Sequence, residues 1–215
     1  MLAKPIPEGA PQNDPIWQSQ YIELVNALVI EGAKAKIIER YTGAAHRRVR
    51  EIYRLLRNET PPSGPVFQGS PHFFAANRER GYSWNLQCAV FMECYSQIEK
   101  LLPIEVNRGW LLLKAYHAYK QKTEKLHQVK GIKRLDINHA YSLLVMTGFG
   151  RTRTNADLHS VACPECQSPY LVVANEEPEG QLCPVCAINA NLTRLGEQAK
   201  AKQKQGSIPA FAIAG

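Results

Sequence analysis

Two Cys-x-x-Cys pairs constrain this chain more than any other feature of its sequence. Cys163 and Cys166 form the first pair, and Cys183 and Cys186 form the second. A two-residue spacer lets both sulfurs of a pair point the same way, and a separation of roughly 15–20 residues lets a hairpin bring the second pair back. Four thiolates complete a tetrahedral shell around Zn²⁺ and leave no open position for a substrate. The sequence therefore predicts one structural zinc ion per chain, held by these four cysteines.

The segment between the pairs is typical of a hairpin. Residues 170–174, YLVVA, have strand propensity, and residues 175–180, NEEPEG, favour a turn. Two other uses of the cysteines remain open. Disulfides are disfavoured in a cytoplasmic chain, and a thioredoxin-like redox site needs only one Cys-x-x-Cys. A zinc module by itself does not indicate a function, because such modules brace enzymes, regulators and ribosomal proteins alike.

The composition is that of an ordinary globular protein. Of the 215 residues, 45% are hydrophobic and 21% are charged, which is enough for a core without disulfides. The formal charge of +7 and the pI of about 9.1 favour an anionic partner such as nucleic acid or a membrane surface. The sequence shows neither a signal peptide nor 18 consecutive apolar residues. We therefore expect a cytoplasmic protein that does not enter a membrane.

Hydrophobic periodicity predicts a mainly α fold: a helical domain with a helix-turn-helix-like element, plus a small zinc-ribbon module with four cysteine ligands. The predicted helices lie at 22–38, 44–57, 83–102, 107–124 and 135–147. A loop rich in proline and glycine follows the second helix at 58–71. The domains that we predict are a flexible N-terminal extension at 1–20, helix-turn-helix-like helices at 21–60, the proline loop and helical core at 61–150, the zinc module at 151–193 and a basic/apolar tail at 194–215.

The second predicted helix is amphipathic and strongly basic. Its apolar positions recur at i, i+3, i+4 and i+7 and predict one buried stripe: Val49, Ile52, Tyr53 and Leu56. The arginines project from the opposite side: Arg47, Arg50 and Arg54. Gly43 lies in the short turn before this helix. Two helices joined by such a turn describe a helix-turn-helix, whose second helix enters the major groove of DNA.

An ordinary solvated helix face is the alternative explanation for this basic surface. Arginine favours the DNA interpretation, because the guanidinium fork suits phosphates and guanine edges. Nothing in the sequence resembles a nucleophile elbow or a phosphate-binding loop, and the histidines lack metal-ligand spacing. The sequence therefore carries no enzyme signature.

The chain resembles the FlhC family of bacterial flagellar transcription activators over roughly residues 22–190. The resemblance rests on motifs in a fixed order: LVIEGAKAKIIE, GAAHRRVREIYRLLRNETPPSGPVF, SPHFF, LLLKAYHAYKQ and INHAYSLLVMTGFGRTRTN, followed by the four cysteines. It implies a subunit that works with FlhD, a small helical protein, in a complex of four partner chains and two chains of this type. Such a complex would wrap double-stranded promoter DNA and help recruit RNA polymerase. Apolar surface on helices 22–38 and 83–124 would then serve partner binding.

The resemblance also assigns roles to individual residues. It implies that the four cysteines are the zinc ligands, and that DNA is contacted by the basic helix and by the neighbourhood of the zinc module. The residues that we expect to contact DNA are Lys34, Lys36, His46, Arg47, Arg48, Arg50, Arg54, Arg57, Arg151 and Arg153.

Two alternatives to a flagellar activator stay open. Members of the family also occur on conjugative plasmids and integrative elements, where they activate transfer genes by the same mechanism. A function of another class is a zinc-braced protein-interaction scaffold, or an RNA-binding subunit, whose basic helix is merely surface. A promoter footprint would separate activator from scaffold, because a scaffold gives none.

Overall fold

Helices dominate the fold, as predicted. The structure, a computed structural model, describes residues 15–75, 82–103, 106–128, 132–148, 156–176 and 181–205. The helices within these ranges are α1 Pro15–Ile30, α2 Ala35–Thr42, α3 His46–Arg57, α4 Pro71–Phe74, α5 Tyr82–Leu101, α6 Arg108–Lys122, α7 Glu124–His127, α8 Ile137–Met146 and α9 Pro184–Gln205. Two strands, β1 Leu158–Ala162 and β2 Pro169–Val173, pair antiparallel.

The first predicted helix, residues 22–38, is in fact two helices. α1 ends at Ile30, and Gly32 takes a left-handed φ of 77°, a conformation that glycine adopts at helix ends with little strain. Asn138 of α8 fixes the connection between α1 and α2. Its side chain accepts from the Lys34 backbone N–H at 2.8 Å and donates to the Gly32 carbonyl at 3.1 Å.

The N-terminal boundary also differs from the predicted one. α1 begins at Pro15, so residues 15–20 are helical rather than part of a flexible extension. The rest of that predicted extension, residues 1–14, lies outside the described residues.

α2 and α3 follow one another in the predicted helix–turn–helix order. Gly43 ends α2 with a left-handed φ of 72°, and its N–H donates to the Glu39 carbonyl at 2.7 Å. Three of the four predicted core positions on α3 are buried: Val49, Ile52 and Tyr53. Leu56 is 47% exposed, so the predicted stripe is wrong at its last position. The reason is that α1 ends beside the last turn of α3, where Arg57 donates to the Ile30 carbonyl at 2.7 Å.

The proline loop, residues 58–70, packs against the helices instead of hanging between them. The Gln68 backbone N–H donates to Ser142 Oγ at 2.7 Å, and the Phe67 ring stacks on Tyr141 with centroids 6.1 Å apart. Ser142 and Tyr141 both belong to α8. The predicted absence of helix is confirmed for residues 58–70. The loop also lies beside α2 and α3, where the Pro65 carbonyl accepts from the Lys34 ammonium.

One continuous apolar core joins the helices to the hairpin. Its buried helical members come from α1, α2, α3, α4, α5, α6 and α8, and the hairpin adds Leu158 and Leu171. A polar network lies within this core: Tyr119 Oη donates to Gln87 Oε1 at 2.5 Å, and the Leu135 N–H donates to the same oxygen at 3.1 Å. No helix among the described residues is long and apolar enough to cross a membrane.

The cysteine module differs from the predicted ribbon in its second half. The strand predicted at 170–174 is confirmed as β2, but its partner is β1, which precedes the first cysteine pair. Beyond β2 the chain enters helix α9 at Pro184, so the second pair lies at the start of a helix rather than on a returning strand: Cys183 immediately precedes α9 and Cys186 is in its first turn. α9 continues to Gln205, across the predicted boundary at 193.

Candidate metal centre and nucleic-acid interface

Four cysteine sulfurs converge where the β1–β2 hairpin meets the start of α9. The Sγ atoms of Cys163, Cys166, Cys183 and Cys186 all lie within 4.8 Å of one another, and those of Cys166 and Cys183 are 3.6 Å apart. A tetrahedral shell with metal–sulfur bonds of about 2.3 Å needs sulfurs separated by about 3.8 Å. The four cysteines could therefore hold one metal ion.

The first cysteine pair occupies the loop of the hairpin. The Cys163 N–H donates to the Ser168 carbonyl at 3.0 Å and continues the β1–β2 ladder by one step. Gln167 takes a left-handed φ of 61°, and its N–H donates to the Cys163 carbonyl at 2.9 Å. The turn thereby brings the Cys163 and Cys166 side chains to the same side.

The second pair opens helix α9. Pro184 is the first helical residue, a position that proline suits because its missing N–H would have no intrahelical partner. The N–H groups of Cys183 and Cys186 point back at sulfur: the first donates to Cys163 Sγ at 3.3 Å and the second to Cys183 Sγ at 3.5 Å. These donors and the positive end of the helix dipole both stabilise negative charge on the thiolates.

The four thiols do not ionise alike. Burial raises the pKa of the Cys163 thiol, but backbone N–H groups, led by that of Cys183, outweigh burial and lower this pKa to about 6. The pKa of Cys186 moves the other way, because the neighbouring Cys166 sulfur and burial both raise it. Adjacent thiolates repel one another, so the tetrad cannot lose all its protons without a compensating cation. This donor set suits a metal that favours thiolates.

Strand β2 separates the four-cysteine cluster from the helical core. Tyr170 and Val172 point to the cysteine side, where they form a small core with Cys163 and Cys183. Leu171, between them, belongs to the helical core. The alternation follows from the two-residue period of a strand.

The predicted DNA-contacting residues fall into two groups on the surface. Lys36, Arg50 and Arg54 are exposed and form no ion pair with any carboxylate of the described residues. Four others contact a carboxylate: His46 with Glu39, Arg47 and Arg48 with Glu51, and Arg57 with Glu59. The exposed face of α3 is therefore only partly neutralised, and its free cations are Arg50 and Arg54 within the part of the chain that the structure describes.

Glu51 is an acidic residue on α3 that partly neutralises the positive charge of the exposed face of this helix. Its carboxylate lies 3.2 Å from Arg47 Nε and 3.5 Å from Arg48 Nη1. Sequence reasoning overlooked Glu51, although the i, i+4 spacing from Arg47 was the signal that could have identified it.

Lys34 does not lie on the exposed face as a DNA-contacting residue should. Its side chain is 4% exposed, and its ammonium donates to the Pro65 carbonyl of the proline loop. Burial lowers the pKa of Lys34, and the charge of Asp136 acts against that effect. The remaining two predicted contacts, Arg151 and Arg153, lie outside the described residues.

The comparison with known families decides where this chain belongs. The model of the family described as flagellar transcriptional activator (FlhC) matches residues 13–202, which is most of the chain. This chain belongs to the FlhC family. The match extends the resemblance carried by the motifs beyond 22–190 at both ends, and it includes α1, the basic helix and the cysteine centre.

Individual FlhC relatives are distant but match along nearly their whole length. The flagellar transcriptional regulator FlhC of Gallionella capsiferriformans (strain ES-2) is 23% identical over 191 residues, covering 86% of this chain and 93% of the relative. That of Nitrosomonas eutropha (strain DSM 101675 / C91 / Nm57) is 21% identical over 193 residues, covering 87% and 91%. The FlhC family is one of transcriptional regulators, and no enzyme activity defines it.

Proposed function

We propose that this FlhC-family chain is a non-enzymatic, DNA-binding subunit of a cytoplasmic transcriptional activator, which binds promoters of flagellar class II operons and helps recruit RNA polymerase there. The observation that carries the proposal is the exposed face of α3, where Arg50 and Arg54 have no carboxylate partner among the described residues. Unneutralised guanidinium groups on the second helix of a helix–turn–helix pair suit phosphate contacts and guanine edges.

Zinc is the metal that we propose for the cysteine centre. Four converging cysteine sulfurs match the ligand number and the donor type of a structural zinc site. Such a site leaves no coordination position for a substrate, so its role is to hold the hairpin against the start of α9. Metal binding there contributes directly to the free energy of folding.

The salt dependence of DNA affinity tests the electrostatic part of the proposal. If each complex neutralises about six phosphates, the log–log plot of affinity against salt should have a slope near −5. Fluorescence anisotropy on a flagellar promoter duplex, with the partner present, gives this slope. A flat response would contradict binding through phosphate contacts.

A helical partner of the FlhD type is proposed for the exposed apolar stripe of α9. Its side chains are spaced by three, four and three residues and are each at least 39% exposed: Val185, Ile188, Leu192 and Leu195. This spacing forms one face of a helix, and an exposed apolar face of this kind is typical of helix–helix association. We expect the assembly to contain four partner chains and two chains of this type.

Co-purification tests the partner proposal. The Ile188→Glu, Leu192→Glu double variant should fail to co-purify with an FlhD-like protein of the same genome, and light scattering should show the complex for the unaltered chain and for the control but not for the double variant. Thr193→Glu is the control on the same helix, because Thr193 is exposed and its hydroxyl donates to the Asn189 carbonyl within α9. Equal recovery of the double variant and the control would contradict the stripe as the interface.

The regulon is tested by genome-wide occupancy of the tagged chain in its own host. Peaks upstream of flagellar operons support the proposal, in line with the names of both relatives. Peaks confined to conjugative-transfer genes would keep the mechanism and change the regulon. No discrete peaks would favour a protein-interaction scaffold without sequence-specific DNA binding.

A further inference from the structure

We propose that the chain binds a small phosphorylated ligand in a basic pocket between α2, α3 and the proline loop. The pocket has a volume of about 380 Å³, which is within the usual range of small-molecule sites. This inference goes beyond the proposed activator function, because it requires neither DNA nor a partner chain.

Positive charge dominates the polar lining of the pocket. Four basic side chains contribute to it: Lys34, Lys36, His46 and Arg50. No aspartate or glutamate lines the pocket among the described residues. Two carboxylates outside the lining act on this group: that of Glu39 lies 2.6 Å from His46 Nδ1, and the charge of Asp136 acts on Lys34. A pocket with several cations and no lining acid is suited to an anion with more than one charge.

Lys34 gives the strongest reason to expect an anion there. Lys34 is 4% exposed, and its ammonium forms no ion pair with a carboxylate of the described residues, although the charge of Asp136 acts on it from beyond ion-pair distance. An ammonium group has three N–H donors, and the structure assigns one of them to the Pro65 carbonyl. A buried charge is costly unless it is paired and fully hydrogen-bonded. A phosphoryl group in the pocket would add to the counter-charge that Asp136 provides and would accept hydrogen bonds from the ammonium.

The start of α2 lies at the same pocket. Lys34 occupies the N-cap position without a side-chain cap, and Ala35 and Lys36, the first residues of the helix, line the pocket. The first N–H groups of a helix have no intrahelical partner, and together with the helix dipole they favour a bound phosphate. This feature supports the argument that the buried ammonium of Lys34 carries.

The proline loop gives the pocket an apolar wall. Pro61, Pro62 and Val66 line it opposite the charged side chains. A ligand with a phosphoryl group at one end and a flat ring at the other would bind both parts of the lining: the phosphoryl group would contact the basic side chains, and the ring would pack on the proline loop. Nucleoside monophosphates have this chemistry, so we use AMP and inorganic phosphate as probes.

Calorimetric titration of the full-length, metal-loaded protein without DNA tests the inference. AMP should bind in the micromolar range, and inorganic phosphate should compete with it at higher concentration. The Lys36→Gln, Arg50→Gln double variant should bind AMP about tenfold more weakly, since it removes two exposed cations from the pocket. Lys114→Gln is the matched control, because Lys114 is an exposed helical lysine on α6 outside the pocket. It should bind AMP as the unaltered protein does.

Two outcomes would overturn the inference. The first is no heat of binding with AMP or phosphate at millimolar concentration, and the second is unchanged AMP affinity in the double variant. If AMP fails to bind while the double variant loses affinity for promoter duplex, the pocket belongs to a DNA backbone phosphate and not to a small ligand. Arg54→Gln separates the two proposals, because Arg54 is exposed on α3 but does not line the pocket. It should weaken duplex binding and leave AMP affinity unchanged.

Discussion

The side-chain amide of Asn85 hydrogen-bonds both backbone groups of Leu171. Its Nδ2 donates to the Leu171 carbonyl at 2.9 Å, and its Oδ1 accepts from the Leu171 N–H at 3.2 Å. β1 pairs with β2 along one edge, so this amide on α5 stands where a third strand would pair on the other. Both residues are buried, at 0% and 1% exposure. The β1–β2 hairpin, which carries the first cysteine pair, is thus joined to the helical domain by a polar contact as well as by apolar packing.

Asn85→Ala should strongly destabilise the chain. The substitution leaves the N–H and the carbonyl of Leu171 buried without these partners, at about 1–3 kcal/mol for each group. We expect the free energy of unfolding, measured with denaturant, to fall by about 2–5 kcal/mol. Asn189→Ala is the control, because Asn189 is exposed on α9 and should change stability by less than about 0.5 kcal/mol. Equal values for the two variants would show that Leu171 does not depend on the amide.

Cys183→Ser should abolish metal binding and unfold the cysteine module. One of four converging ligands is lost, and the folding free energy supplied by the metal goes with it. Elemental analysis of the purified variant, together with its melting curve, measures both effects. Cys94→Ala is the matched control, since Cys94 is buried on α5 and is not one of the four. A Cys183→Ser protein with full metal content would contradict the proposed ligand set.

Glu51→Gln should strengthen DNA binding. The change removes the carboxylate that faces Arg47 and Arg48, and both guanidinium groups become available to phosphates. Exposed ion pairs are weak, so we expect a gain of about threefold in affinity at low salt and a steeper salt slope. The measurement is anisotropy on a promoter duplex, with Glu124→Gln on the exposed surface of α7 as a charge-matched control. A loss of affinity in Glu51→Gln would mean that its pairing with the arginines orients them for DNA.

Glu31→Gln should reduce the sensitivity of the fold to acid. Glu31 lies 2.8 Å from both His117 and Lys120 of α6. Burial raises the pKa of Glu31, but hydrogen bonds from Lys120 and His117 outweigh it, and the net pKa is lowered. A carboxylate whose pKa is lower in the folded state stabilises the fold above its unfolded pKa of about 4.3, and this contribution is lost as the pH falls through the folded value.

Melting temperatures between about pH 7 and about pH 3 give the measurement. The unaltered protein should lose stability below about pH 4, and Glu31→Gln should lose less of it over that interval while starting from a lower value at neutral pH. Glu23→Gln, on the exposed side of α1, should follow the unaltered curve. If the melting temperature of Glu31→Gln fell by as much as that of the unaltered chain over the acidic part of this range, the proposed role of the Glu31 contact would be contradicted.

Local patterns in the sequence were sufficient for most helices and for the cysteine centre. The helix predicted at 83–102 is α5, Tyr82–Leu101, because its apolar spacing is a property of neighbouring residues. The spacing of the four cysteines is equally local. The break between α1 and α2 was also visible in the sequence, since Gly32 is a typical helix terminator, but the apolar periodicity on either side concealed it.

Contacts between distant segments explain what the sequence could not show. Lys34 is buried because the proline loop folds back and offers the Pro65 carbonyl, 31 residues later. Asn85 reaches Leu171 across 86 residues, and a buried asparagine within a helical pattern does not reveal its partner. The helical spacing of the apolar residues in α9 was not recognised, because the stripe begins at Val185, inside a cysteine pair that was expected on a ribbon.

Strand β2 connects the cysteine cluster to the helical core of the described residues. Because Leu171 closes the helical core while Tyr170 and Val172 cover the cysteines, the two compartments have a common wall only five residues long. If the cysteines did not hold a metal, β2 would no longer be fixed on the cysteine side. Leu171 would then lose its position in the helical core, and part of that core would be destabilised. The cysteine module and the helical core would then unfold in one transition rather than in two separate ones. The metal supply of a cell would thus set an upper limit on how much folded regulator the cell can maintain.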